Sequence, residues 1–273
     1  LKVDINKIFL KQWNLLVGTK ISNINTKNEN LYFTGEQPDI NIDNARSNKF
    51  DYKEDIYAFY SSLSKDWDKW SFNAGFRIEN TKYSGQSNTT NEGFQKDRVD
   101  LFPSIFIQKK IGENHLINSS FGRRILRPAY EKLNPFIDFQ NPFNYSTGNP
   151  NLKPAFSNTL EFSYLLKNKY YFNTGYKRTS DLIGNVLVRE GDLTVISTYQ
   201  NLSDEDYYFL SASIPINLTD WWKINTYLNL YNKKVIVNNG INKNEYSQST
   251  LFFYGNNTFS IPKNITIELS GYY

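Results

Sequence analysis

The stretch Trp70–Glu79, WSFNAGFRIE, decides the fold. Trp70, Phe72, Ala74, Phe76 and Ile78 alternate with Ser71, Asn73, Gly75, Arg77 and Glu79. A period of two puts one set on each face of a β-strand, the apolar set on one side and the polar set on the other. The same pattern runs through Leu160–Lys167, Tyr170–Lys177, Tyr208–Ile216 and Trp222–Leu230. Asp51–Leu63 and Ser249–Ser260 also read as strands, with faces left open. Helical periodicity is nearly absent.

The segments between strands are of two kinds. Short turns are expected at Ser64–Lys69, Lys109–Asn114, Lys167–Lys169, Asn217–Asp220 and Ser260–Asn264. Long polar loops are expected at Gly35–Asn48, Gly85–Asp97, Asn134–Ala155, Arg189–Thr194 and Val237–Glu245. The repeating unit is therefore a long antiparallel hairpin, tight at one end. About 12 strand segments fit this rhythm.

Composition removes several classes of function. Of 273 residues none is Cys and one is His, so no thiolate site, disulfide or histidine cage can form, and a triad would depend on His115. The 31 basic and 27 acidic residues give +4, spread along the chain, unlike the clustered stripe of a nucleic-acid groove. The longest apolar run is five residues, Ile56–Tyr60, against the roughly 20 of a spanning helix. No carboxylate pair is spaced for catalysis. No enzyme activity, cofactor or metal is expected. Met is also absent, and the sequence is read as an excerpt of a mature protein.

One-sided alternation suits a soluble sandwich, a propeller or a membrane barrel. Strand length favours the barrel. Tyr208–Ile216 extends about 26 Å, and tilted by about 40° it covers most of the apolar band of an outer-membrane barrel. Trp13, Trp67, Trp70, Trp221 and Trp222 all lie beside short turns. Tryptophan gathers at bilayer interfaces because its ring is apolar while its N–H prefers water. The expected architecture is an all-β antiparallel transmembrane barrel, with Trp70, Phe72, Phe76 and Ile78 facing lipid and Asn73, Arg77 and Glu79 facing the lumen. With short turns on the periplasmic side, Leu1–Phe9 descends and Ile265–Tyr273 ascends. A contiguous slice of a larger barrel is the simpler expectation.

Phe121–Phe156, FGRRILRPAYEKLNPFIDFQNPFNYSTGNPNLKPAF, is the most distinctive region. Asn118, Ser120 and Arg124 share the lumen phase of the strand entering it. Pro128 suits a strand end. Pro135, Pro142, Pro150 and Pro154 stiffen the loop, and Gly148-Asn149-Pro150 is a turn signal. Arg123, Arg124, Ile125, Arg127 and Pro128, then Leu133-Asn134-Pro135-Phe136, then Gly148-Asn149-Pro150-Asn151-Leu152-Lys153-Pro154 resemble the outer-membrane β-barrel family of TonB-dependent receptors of Bacteroidota. Asp100–Ser104 and Ser62–Glu79 are similar to other recurrent pieces of it. Ala155 departs from the acidic residue the family often has there.

The resemblance implies a 22-stranded barrel, of which residues 1–273 form about half, an N-terminal plug outside this chain, and uptake of a bulky substrate energised by the TonB system. A siderophore, glycan or peptide would be the substrate, and outer-membrane lipid the other partner. A plugless pore or scaffold barrel, or a soluble all-β binding module, are the alternatives. Arg123, Arg124 and Arg127 are expected to brace the wall or the plug, with Arg124 paired to a carboxylate of a neighbouring strand or the plug. Phe136, Phe139, Phe143 and Tyr145 are expected to pack the loop on itself. His115 is expected to be solvated, and Asp204-Glu205-Asp206 to form a solvated face.

Overall fold

A computed structural model describes residues 1–9, 12–36, 39–44, 46–89, 91–141, 143–191, 193–238 and 243–273. In chain order the elements are β1 (Lys2–Phe9), β2 (Trp13–Asn30), β3 (Phe33–Thr34), β4 (Asn41–Ile42), β5 (Asn48–Asp66), β6 (Trp70–Ser87), β7 (Gly93–Ile111) and β8 (His115–Leu126). There follow α1 (Tyr130–Leu133), β9 (Ile137–Asn141), β10 (Asn144–Thr147), β11 (Ala155–Leu166), β12 (Tyr170–Glu190), β13 (Thr194–Asn217), β14 (Trp222–Asn238), β15 (Lys243–Ile261) and β16 (Ile265–Tyr272). The main sheet runs β1-β2-β5-β6-β7-β8-β11-β12-β13-β14-β15-β16, so sequence neighbours are sheet neighbours apart from short insertions. Its hairpins are antiparallel, and twelve long strands match the expected number.

Partners across a ladder share a face. Glu79 of β6 lies opposite Ala58 of β5 and Asp100 of β7, and all three are buried. Phe76 and Trp70, on the other phase, are 45% and 43% exposed. The alternation read from Trp70–Glu79 thus separates an exposed ring-rich face from a face carrying charge. At the short-turn end Trp13 meets Trp67 edge-on at 5.7 Å, and the Lys65 ammonium lies 4.9 Å over the Trp67 ring. Lys109 lies 4.6 Å over Trp70. Trp221, Trp222 and Phe259 stack, and Trp222 Nε1 donates to Asn257 Oδ1 at 3.1 Å. Rings with polar tips at one level form an interfacial belt.

The polar face is concave. Leu133 and Leu152, between β8 and β11, are buried with Phe50, Tyr52 and Tyr83 of β5 and β6, and Ile183 of β12 and Tyr199 of β13 pack on the same cluster. β6 and β12 stand four strands apart in the sheet, about 19 Å along a flat one. One compact cluster of side chains touches both flanks because the sheet bends around the loop.

The strands outrun their alternating segments. β6 continues to Ser87 and β7 resumes at Gly93, so most of the loop expected at Gly85–Asp97 is ladder. The loop expected at Arg189–Thr194 is shortened in the same way, since Arg189 pairs with Val195 and Glu190 with Thr194. Above the apolar band the outer phase meets water in place of lipid, while the inner phase of β6 stays buried at Glu79, Thr81, Tyr83 and Ser87. Polar residues then occupy both phases, and the apolar period of two vanishes while the hydrogen bonds continue. Lys82–Asp97 at 3.6 Å and Lys234–Glu245 at 2.8 Å lie in these extensions. The ladder between β7 and β8 stops at Ser104 opposite Gly122. Above it, Phe156 of β11 reaches across to Phe102 of β7, with Arg98 and Arg123 at 5.0 and 4.6 Å from its ring.

Candidate functional site

The conspicuous site is the loop between β8 and β11 and the inner-face charges beneath it. β8 ends as Pro128 approaches, since proline cannot donate to a ladder. Arg127, just past the strand, turns its guanidinium across β7. It bonds Glu79, donates to Thr81 Oγ1 at 3.3 Å, and lies 3.3 Å from Glu54, an ion pair not aligned as a hydrogen bond. Arg77 pairs with Glu79 as well. Arg98 grips Asp100 through two bonds of 2.7 and 2.8 Å. Glu79 and Asp100 are directly opposed, and like charges in that position repel. Three arginines among three carboxylates neutralise the cluster. Burial and the neighbouring Glu54 carboxylate push the Tyr52 phenol pKa well up, because both disfavour the phenolate.

The loop closes this cluster from above. Pro128, Leu133 and Pro154 border a small void with Tyr52, Tyr83 and Arg127. Backbone bonds fold the loop on itself: Gly148 N–H to Asn134 C=O at 2.9 Å and Asn149 N–H to Lys132 C=O at 2.6 Å. A Cβ on Gly148 would sit 2.7 Å from Lys132 O and 2.8 Å from Asn134 N, so only glycine permits that approach. Asn134 Oδ1 accepts from Phe136 N–H at 3.2 Å, and Pro135 C=O accepts from the Thr147 hydroxyl at 3.0 Å. Pro150 takes the second position of a turn closed by Leu152 N–H to Asn149 C=O at 3.2 Å.

The loop is also tied to the far flank. Asn149 Nδ2 donates to Tyr199 C=O at 2.9 Å. Asn201 of β13 reads the Lys153 backbone like a strand partner, accepting its N–H and donating to its C=O, both at 2.8 Å. The same amide donates to Asp181 C=O at 2.8 Å, where β12 shifts register and Asp181 has φ 56°. A bulge there re-aims the strand toward the loop.

Most of the motif residues therefore converge. Arg127, Pro128, Asn134, Pro135, Gly148, Asn149, Pro150, Leu152 and Pro154 build one clamp. Arg123 serves the neighbouring Phe156 contact. Arg124 has no ion pair to a neighbouring strand among the described residues, and it borders an inner-face cavity with Glu161 and Lys177. The carboxylates Glu54 and Glu79 go to Arg127, which lies just past the end of β8 and can swing across β7. Phe139 and Tyr145 meet edge-on at 4.8 Å, the expected self-packing of the loop. Pro142 lies outside the described residues.

Two further expectations are corrected. His115 is not simply solvated: Nδ1 lies 2.6 Å from the Tyr164 hydroxyl, and the two rings stack at 5.9 Å. Asp204, Glu205 and Asp206 are not a solvated face. Alternation sends Asp204 and Asp206 to Arg178 on one side, and Glu205 to Lys177 and Lys233 on the other. Glu54, Tyr199 and Asn201 are site residues the motif did not flag. Their sole sequence signal is polar residues on an inner-face strand phase.

A cavity of about 270 Å³ lies beside the clamp, bordered by Asn48, Tyr130, Asn134 and Tyr199. Asn48 is buried, with Oδ1 accepting from Ser87 and Nδ2 unpartnered among the described residues. Amides, hydroxyls and rings there can hydrogen-bond and stack. No group of three or more His, Asp or Glu suited to a metal occurs among the described residues.

Comparison with solved structures gives the FrpB iron transporter from Neisseria meningitidis (F5-1 variant) at TM-score 0.64 and 11% identity, over 99% of this chain and 42% of that one. The copper transporter OprC aligns at TM-score 0.61 and 11% identity, over 98% and 49%. The ferric-catecholate import receptor Fiu from E. coli K12, in its closed form, aligns at 0.60 and 11%, over 98% and 43%. The chain thus spans less than half the length of these structures, and at such identity the likeness concerns the fold. No curated protein matches the sequence. The model of the outer membrane protein beta-barrel family matches residues 1–273. Concave wall, interfacial ring belt and family match agree: this chain belongs to the outer membrane protein beta-barrel family and forms barrel wall in the bacterial outer membrane.

Proposed function

We propose that the chain is the barrel portion of a TonB-dependent receptor of the Bacteroidota type, which takes up a bulky substrate across the outer membrane. The observation that carries this reading is the near-complete superposition of a charged, concave twelve-strand wall on less than half of each transporter chain. Barrels of about 22 strands enclose a plugged lumen. On this reading a plug outside residues 1–273 meets the inner face, and Arg124 is free to contact it. The clamp loop holds the wall's shape where that plug would seat. The similar solved structures are an iron transporter, a copper transporter and a ferric-catecholate import receptor; here a siderophore, glycan or peptide is the proposed cargo. The reading assigns transport, not catalysis, to this chain.

Planar-bilayer conductance in KCl tests it. The full-length protein should conduct poorly, and the same protein reduced to its barrel strands should conduct as a large pore. A full-length protein that is a steady open pore would instead establish the plugless barrel.

A further inference from the structure

We propose that a groove on the membrane face of β8, β11, β12 and β13 binds an anionic glycerophospholipid of the periplasmic leaflet. The proposal rests on the membrane orientation and not on the transport reading. The groove measures about 440 Å³ and is walled by Ile117, Phe162, Phe172 and Leu210, an apolar lining typical of ligand sites. Its floor is Thr174, which stands in one row between Phe162 and Leu210. A small residue between two large ones makes the dip. The Thr174 hydroxyl donates to Phe209 C=O at 2.9 Å, so its methyl is left to the groove. Each wall strand has ladder partners on both sides, so the groove is complete within this chain.

The lower rim has the opposite character. His115 and Tyr164 place polar tips there. The two turns beneath are tied together by Lys167 N–H to Asn114 C=O at 2.6 Å and Asn168 Nδ2 to Glu113 C=O at 3.2 Å. They carry Lys109, Lys110, Lys167 and Lys169 against the single acid Glu113. No ion pair engages these lysines among the described residues. The neighbouring turns lack such an excess: Lys65 and Lys69 are balanced by Asp66 and Asp68, and Asn217–Asp220 has only Asp220. Lys109 and Lys169 lie over Trp70 and Tyr170, at 4.6 and 5.3 Å. That is the depth at which headgroups meet an aromatic belt. Lysines at this depth attract anionic lipid, and the groove above them accepts an acyl chain.

The full-length protein, extracted in detergent, is equilibrated with phosphatidylglycerol or phosphatidylethanolamine of identical chains, and retained lipid is weighed by native mass spectrometry. Phosphatidylglycerol should be retained about tenfold better. Lys167→Gln with Lys169→Gln should bring it down to the level of phosphatidylethanolamine. Thr174→Phe, a change the lipid face tolerates, should lower retention of both. Equal retention of the two lipids by the unaltered protein overturns the proposal, and this comparison stands even where a variant fails to assemble. Phosphatidylglycerol retention unchanged by either variant overturns it too. So does glycerol 3-phosphate binding as well as the whole lipid, since the groove would then be irrelevant.

Discussion

Arg127 is held by two carboxylates from different strands, and each of them is more buried than the arginine. Removing one member of such a group leaves the others uncompensated. Arg127→Gln should destabilise the folded barrel by roughly 3 kcal/mol in a urea titration in lipid. Arg127→Gln combined with Glu54→Gln, which leaves Arg77 and Arg98 with Glu79 and Asp100, should recover most of that loss. A double variant as unstable as the single one would show that packing, not charge, is at stake. Gly148→Ala should cost about 1–3 kcal/mol, because its Cβ meets backbone that cannot rotate away. Tyr52 titrates in the opposite sense to a carboxylate. Its folded pKa is raised above the unfolded value near 10, so its contribution is complete below that pH and is lost as pH rises through the folded pKa. A spectrophotometric titration should show tyrosines resisting ionisation in the folded protein, Tyr83 among them, and Tyr52→Phe should remove one of these from the late-titrating set. At this scale the motif's glycine and prolines were legible, because a turn demands particular backbones. The choice of Arg127 over Arg124 was not. It depends on where the strand lets go, and on carboxylates more than 45 residues away.

A strand in this wall has a lipid side, a lumen side and an upper extension whose outer side meets water instead of lipid. Phe76→Arg, on the exposed face of β6, should destabilise the inserted barrel by about 2–4 kcal/mol, as a charge enters hydrocarbon. Asn73→Arg, three residues away on the other face, should cost far less. Equal penalties in a folding titration into lipid vesicles would contradict the assigned faces. Alternation made these faces readable at Trp70–Glu79, since burial in two different solvents writes a period of two into the sequence. It could not reveal how far β6 and β7 continue above the bilayer. There Lys82, Ser84 and Gln86 face one side and Tyr83 and Gly85 the other, and the ladder of backbone hydrogen bonds runs on without an apolar outer face. The acidic run at Asp204–Asp206 misled for a related reason: adjacent residues on a strand point to opposite faces, so three like charges are two separate sites.

Across the whole molecule, the strand order follows the chain with little excursion, which is why a simple hairpin count anticipated the architecture. The clamp is the exception. It joins Leu133 to Phe50 on one flank and Asn149 to Tyr199 on the other. Both flanks must be laid down and bent before those contacts exist, because each spans a long stretch of sequence. Leu133→Ala should therefore cost about 2–5 kcal/mol at equilibrium. Nearly all of it should appear as faster unfolding, with the rate of assembly into lipid almost unchanged. An equal slowing of assembly would place the clamp in the nucleus. The kinetic meaning of one buried leucine in a bent wall is thus a matter of lifetime: it governs how long a finished barrel persists, while the hairpins govern how fast it is made.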